Sequence, residues 1–192
     1  MIKDNGHISI GTAALITGLS LFVPTAPYAE FYVFGKLIIH NDAAQTTQNL
    51  LKNPSLFLSG IFAGFFTYII DILLAWTIFI LLKPVNAPLS LLASWLRIVY
   101  TVLSMVALFN FLNAFQLVNF PAVPESNINV ELMRWVTARR HAMNFAYIIF
   151  GTYLILVGIL ICKSAYIPKI LGVLMMLAGI AWIIISLQPY FF

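Results

Sequence analysis

"SLFLSGIFAGFFTYIIDILLAWTIFILL", residues 55–82, runs for 28 positions with one charged side chain, Asp71. About 20 apolar residues are enough to cross the roughly 30 Å hydrocarbon core of a bilayer. The stretch therefore reads as a transmembrane helix, and the chain repeats the theme. Comparable runs occupy about 8–29, 88–115, 141–162 and 167–187. Over 192 residues the chain is 62% hydrophobic and only 8% charged. Soluble chains run about 45–50% apolar and about 25% charged, so the solvent for this chain must be lipid. The expected fold is an all-α integral membrane bundle of about five transmembrane helices. It forms a single domain over residues 1–192.

The connections are uneven. "KPVNAP" (83–88) and "KSAYIPK" (163–169) read as tight turns between antiparallel helices. The segment "HNDAAQTTQNLLKNP" (40–54) suggests a short interfacial helix. "ESNINVELMRWVTARRH" (125–141) suggests a protruding or amphipathic helix that begins outside the membrane and runs into the fourth span. Asn129 is the expected cap of that helix, with Glu131 in its first turn.

The net charge of +4 is ordinary for a membrane protein, where loop cations set orientation. With the N-terminus inside, Lys3, Lys83, Lys163 and Lys169 lie inside, and Lys36, Lys52, Arg134, Arg139 and Arg140 outside. The count does not decide the matter. The short lysine turns favour a cytoplasmic N-terminus.

In "VPTAPYAEFYVFGK" (23–36) the first span meets two prolines and Glu30. A signal peptidase site wants a small residue three before the cut. Cutting after Ala29 would put Pro27 there, and Asp4 interrupts the basic leader. The prolines are read as a bend near the end of a retained first span.

Membrane helices gain little by burying Leu against Leu, so small residues that let backbones approach carry the packing signal. Here they recur in sevens: Gly11, Gly18 and Thr25; Gly151 and Gly158; Gly172, Gly179 and Ser186. Gly60, Gly64 and Ala75 mark the second span.

Two charges lie inside spans, Asp71 in the second and Arg97 in the third. A lone charge at the bilayer centre costs at least about 2.5–3.5 kcal/mol on insertion scales, so neither should stand alone. Asp71 precedes Lys83, and Arg97 follows Pro88, by distances that place both roughly 14–18 Å from the same membrane face. Arg97 shares a helical face with Ser90, Ser94, Thr101 and Ser104. A buried Asp71–Arg97 ion pair is expected, with the hydroxyls serving the spare donors.

A second polar layer gathers toward the other face. Glu30, Tyr68, Asn110, Asn113, His141, Asn144 and Tyr147 could line a cup open to one side of the membrane. Such a cup suits an ion, a lipid headgroup or a small polar ligand. An imidazole changes charge near neutrality, so a Glu30/His141 acid–base pair belongs among the alternatives.

Metal-ligand, nucleophile-elbow, phosphate-loop and haem-attachment motifs are missing. The three histidines are far apart, so no metal and no cofactor are expected. No basic, aromatic-interleaved patch calls for nucleic acid. Cys162 is alone and cannot form an intrachain disulfide.

"AEFYVFGKLI", "YIIDILLAWTIFILLKPVN", "LASWLRIVYT" and "KSAYIPKILGVLMMLAG" together resemble the bacterial membrane family known as domain of unknown function 4386. The resemblance covers almost the whole chain. It implies that an acid after the first span, an acid in the second, an arginine in the third and a histidine before the fourth belong to the family pattern. Glu30, Asp71, Arg97 and His141 match them here. It also implies a bacterial inner-membrane setting, and it implies no activity.

The expected function is that of a non-enzymatic membrane protein, either a binder of lipid or a small ligand or an accessory protein. The partners would be membrane lipids, a small lipophilic or polar ligand, or further copies of the chain. The alternatives are a membrane enzyme acting on a lipophilic substrate and a small transporter or proton pathway.

Overall fold

The computed structural model describes residues 8–39, 42–120 and 124–191, without the side chains of 125 and 126. His7 and His40 lie outside the described residues. Among the described residues there is helix and no strand.

Helix α1 covers Ile10–Leu21. Ser9 caps it, its hydroxyl accepting from the Thr12 amide at 3.0 Å. Pro24 has no amide proton to offer, and the helix stops at Phe22. Helical structure then resumes: a turn at Thr25–Pro27, a π-helical stretch at Tyr28–Phe34 and a turn at Gly35–Leu37. The first membrane-length segment is therefore Ile10–Leu37. It is longer than the expected 8–29, and the prolines interrupt its middle rather than bend its end. The part after the prolines stays helical because it has an inner face to bury: Ala29, Val33, Phe34 and Leu37.

Helices α2 (Ala43–Lys52), α3 (Pro54–Leu82), α4 (Ala87–Asn119), α5 (Glu125–Lys163) and α6 (Lys169–Phe191) follow. Asp42 caps α2, its carboxylate accepting from the Gln45 amide at 2.8 Å. Pro54 opens α3, where a missing amide proton costs nothing. The α3–α4 turn ends at Asn86, whose side-chain oxygen Oδ1 accepts from the Leu89 amide at 2.9 Å. Helix α5 has 39 residues and is roughly 58 Å long, about twice the hydrocarbon thickness. It begins four residues before Asn129, so that asparagine is not its cap. Asn129 accepts a hydrogen bond from Thr47 of α2 at 2.7 Å instead.

Five helical segments are long and apolar enough to cross a membrane: Ile10–Leu37, Pro54–Leu82, Ala87–Asn119, Asn127–Lys163 and Lys169–Phe191. The protein is an all-α, multi-pass membrane bundle.

Contacts group the chain into two compact units, where the sequence suggested one domain. The first comprises the chain up to Val23, Ile70–Tyr100 and everything from Tyr147 on; the second comprises Pro24–Ile69 and Thr101–Ala146. Helices α3, α4 and α5 each contribute residues to both.

In the first unit, α6 buries only Gly172, Gly179 and Ser186, the sevenfold stripe. A Cβ on Gly151 would stand 2.5 Å from the Gly179 carbonyl, and one on Gly158 would stand 2.6 Å from the Gly172 carbonyl. The α5 and α6 backbones touch there, as antiparallel neighbours in register. The stripe of α1 behaves differently. A Cβ on Gly18 would meet nothing within 4 Å, and the buried residue of α1 is Ala13. Its side-chain tie is Thr17, which donates to the Thr77 hydroxyl at 2.8 Å.

The second unit is built around Phe34, Phe57 and Phe111, whose ring centroids are 4.6–5.8 Å apart in edge-on and tilted arrangements. Val33, Leu37, Leu50 and Leu132 complete this core. Gly60 lets the π-helical stretch come close: a Cβ there would be 2.6 Å from a Val33 methyl.

Candidate functional site

Asp71 and Arg97 face each other in the first unit. A guanidinium Nη2–H donates to the Asp71 carboxylate, and both side chains are under a tenth exposed. The guanidinium also lies over two rings of α5, with centroids at 5.4 Å for Phe150 and 5.0 Å for Tyr153. Cation–π attraction strengthens when the charge is desolvated. Ser90 and Ser94 are buried on the same face of α4, but each donates to a backbone carbonyl, of Phe79 at 3.1 Å and of Ser90 at 3.0 Å. Phe150 and Tyr153 add an aromatic support beyond the hydroxyls expected from the sequence.

The second unit holds a similar pair. Glu30, carried by the π-helical stretch, accepts from Arg139 of α5. The Arg139 guanidinium lies over Phe34 at 5.1 Å and Phe111 at 4.2 Å. Arg139 is 11% exposed and Glu30 33%. The sequence reading counted Arg139 as a loop charge and gave it no partner. The available signal was the triplet Arg139–Arg140–His141 on a helix, whose members must point in different directions.

The residues of the expected cup divide between the two units. Tyr68 is buried, its hydroxyl 4.0 Å from the Met143 sulfur. Asn110 donates to the Ala107 carbonyl of its own helix at 3.1 Å. Asn113 and Asn144 are half-buried. Tyr147 belongs to the first unit, stacked on Tyr100 and tilted against Trp182, with centroids at 6.4 and 4.4 Å. His141 does not turn inward with the Gly151–Gly158 stripe; it is exposed.

His141 instead lines an open groove of about 670 Å³ in the second unit, with Asn129, Val130, Met133, Arg134, Thr137 and Ala138 of α5 and Ala43 of α2. These α5 positions recur at helical spacing, so they form one stripe along the helix. The stripe mixes polar and apolar residues, which hid it from a search for a uniformly polar face. Helix α2 forms the opposite lip, held by the Thr47–Asn129 bond and by Thr46, whose hydroxyl accepts from the Ile39 amide at 3.0 Å. Arg134 also pairs with Glu131 at 2.8 Å on the exposed side. Glu30 is not among the groove's lining residues. No cluster of three or more His, Cys, Asp or Glu side chains suited to a metal occurs among the described residues.

The family profile of the domain of unknown function DUF4386 matches residues 16–192. The chain belongs to this family. An uncharacterized protein of Archaeoglobus fulgidus (strain ATCC 49558 / DSM 4304 / JCM 9628 / NBRC 100126 / VC-16) is 32% identical over 120 residues, 62% of this chain and 60% of the relative. The chain thus spans about three fifths of that curated relative's length. No solved structure matches. In this DUF4386 chain both arginine–carboxylate pairs, the Phe34–Phe57–Phe111 core and the α5 groove fall inside the matched residues.

Proposed function

We propose that this protein is a non-enzymatic membrane protein that binds a lipid-like amphiphile in the groove along α5. The groove itself carries the reading. Its apolar lining residues (Ala43, Val130, Met133, Ala138) and polar ones (Asn129, Arg134, Thr137, His141) suit a molecule with an oily and a polar end. The two arginine–carboxylate pairs act as fasteners in this reading. Each arginine is already engaged by a carboxylate and two rings, and Glu30 is bonded to Arg139 rather than placed on the groove with His141. That arrangement favours binding over acid–base catalysis. The family resemblance and the short lysine turns favour the bacterial inner membrane with a cytoplasmic N-terminus.

The test is lipid retention. Native mass spectrometry of gently extracted protein should find co-purifying amphiphile, and Ala138→Trp, which fills the groove from an exposed position, should remove it. A wild-type protein that carries no amphiphile, or an Ala138→Trp variant that carries as much, overturns the proposal.

A further inference from the structure

The chemistry of the groove goes one step further and names the headgroup; this step rests on the amphiphile-binding reading above. We infer that Arg134, Thr137 and His141 hold the phosphate of an anionic phospholipid.

The depth is right. From Phe145 to Cys162, α5 carries 18 residues with no Asp, Glu, Lys or Arg, roughly 27 Å of helix and close to a full hydrocarbon thickness. The groove begins one turn beyond that stretch, at His141, and continues outward to Asn129. This is the level of the headgroup region.

The spacing is right. Arg134, Thr137 and His141 stand three and four residues apart, so their side chains stack on one helical face. Arg134 and His141 are separated by roughly 10 Å along the axis, with the Thr137 hydroxyl between them. A phosphate at the level of Thr137 comes within reach of a guanidinium from one side and an imidazole from the other. Guanidinium is the side-chain group best matched to phosphate oxygens, because its fork of donors can bond two at once.

The charge is right. Among the described residues no carboxylate lines the groove. Glu131 bonds Arg134 at 2.8 Å, with Arg134 74% and Glu131 29% exposed. Exposed pairs of this kind are worth little, so a phosphate can take over the guanidinium at small cost. Of the neighbouring cations, Arg139 is turned to Glu30 and Arg140 is exposed outside the groove. Below His141 on the same face, Phe145 is 59% exposed and offers a surface for an acyl chain.

The experiment uses the full chain in nanodiscs of equal phosphatidylglycerol and phosphatidylcholine, with retained lipids weighed by native mass spectrometry. Wild type should retain phosphatidylglycerol roughly fivefold over its share, the order expected from one arginine at an anionic surface. The double variant Arg134→Gln/His141→Gln should retain lipid without preference, while Arg140→Gln keeps the preference. Ala138→Trp should lose both lipids. Retention that is sensitive to Ala138→Trp but indifferent to headgroup would overturn the phosphate site and leave the groove reading standing. A preference that survives the double variant, or that falls equally with Arg140→Gln, would overturn it too. Absence of any lipid sensitive to Ala138→Trp would remove the underlying reading as well.

Discussion

Arg97 in the first unit and Arg139 in the second each bond one carboxylate and lie over two aromatic rings, yet water reaches their carboxylate partners very differently. Asp71 is 8% exposed and its partner Arg97 9%, whereas Glu30 is 33% exposed and Arg139 11%. The carriers differ too. Asp71 and Arg97 stand on regular α-helices, and Glu30 stands in a π-helical stretch. The comparison teaches that one chemical device serves two energetic regimes. Deep inside, the pair is what makes two charges tolerable at all. Nearer water, the same pair orients a segment, and its carboxylate, a third exposed, could be solvated without it.

That contrast predicts the largest effect at the deep pair. Asp71→Ala or Arg97→Ala strands its partner in a dry site, a defect costing about 3–5 kcal/mol. Thermal melting in detergent, followed by tryptophan fluorescence, should show the fall or a failure to accumulate folded protein. The reciprocal swap Asp71→Arg/Arg97→Asp should recover much of it. Singles that melt like wild type would show that the pair contributes nothing.

Glu30→Ala should cost less, about 1.5–3 kcal/mol, the usual worth of a charge-assisted hydrogen bond. Its partner Arg139 keeps two ring faces and gains access to water through the vacated space. A melt in which Glu30→Ala falls below Asp71→Ala would reverse the comparison and make the π-helical stretch the more critical one.

The two pairs also differ in how far they could be read beforehand. Asp71 and Arg97 leave one short turn in opposite directions, so counting residues from that turn levels them. No such rule was available for Glu30. Pro24 breaks the first span, and the π-helical stretch after it changes the residues-per-turn on which any count depends. The aromatic supports were equally hidden. A helix surrounded by lipid is apolar on every side, so Phe150 and Phe111 carry no mark that separates them from lipid-facing Phe109 or Phe145. The small-residue stripes were legible as candidates but not as contacts. The stripes of α5 and α6 meet, and that of α1 does not. The groove carries no clear mark in the sequence because its stripe on α5 is neither polar nor apolar throughout.

Glycines sharpen the contrast between units at a smaller scale. Gly151 in the first unit faces a backbone carbonyl, which cannot move aside, at 2.5 Å from a would-be Cβ. Gly64 in the second faces only the methyl ends of Leu108, at 3.4 and 3.5 Å. Gly151→Ala should therefore cost about 1–3 kcal/mol, the range for overpacking, and Gly64→Ala should be nearly neutral. Equal melting temperatures for the two variants would show that α5 and α6 can separate without penalty.

A smaller loss than that of Gly151→Ala is expected outside the spans, at Tyr166 between α5 and α6. Its phenol donates to the Leu81 carbonyl, one of the last-turn acceptors that a helix end leaves unsatisfied. Tyr166→Phe should cost about 0.5–1.5 kcal/mol. Burial pushes the Tyr166 phenol above its ordinary value, so the folded protein holds this proton more tightly than the unfolded chain does. The sign follows from that. The contribution is fully present below the unfolded tyrosine pKa, about 10, and is lost as pH rises through the higher folded value. Wild type and Tyr166→Phe should thus differ at pH 7 and converge above pH about 10. A gap that persists undiminished in alkali would mean that the ring's packing, and not its hydroxyl proton, ties this turn to the end of α3.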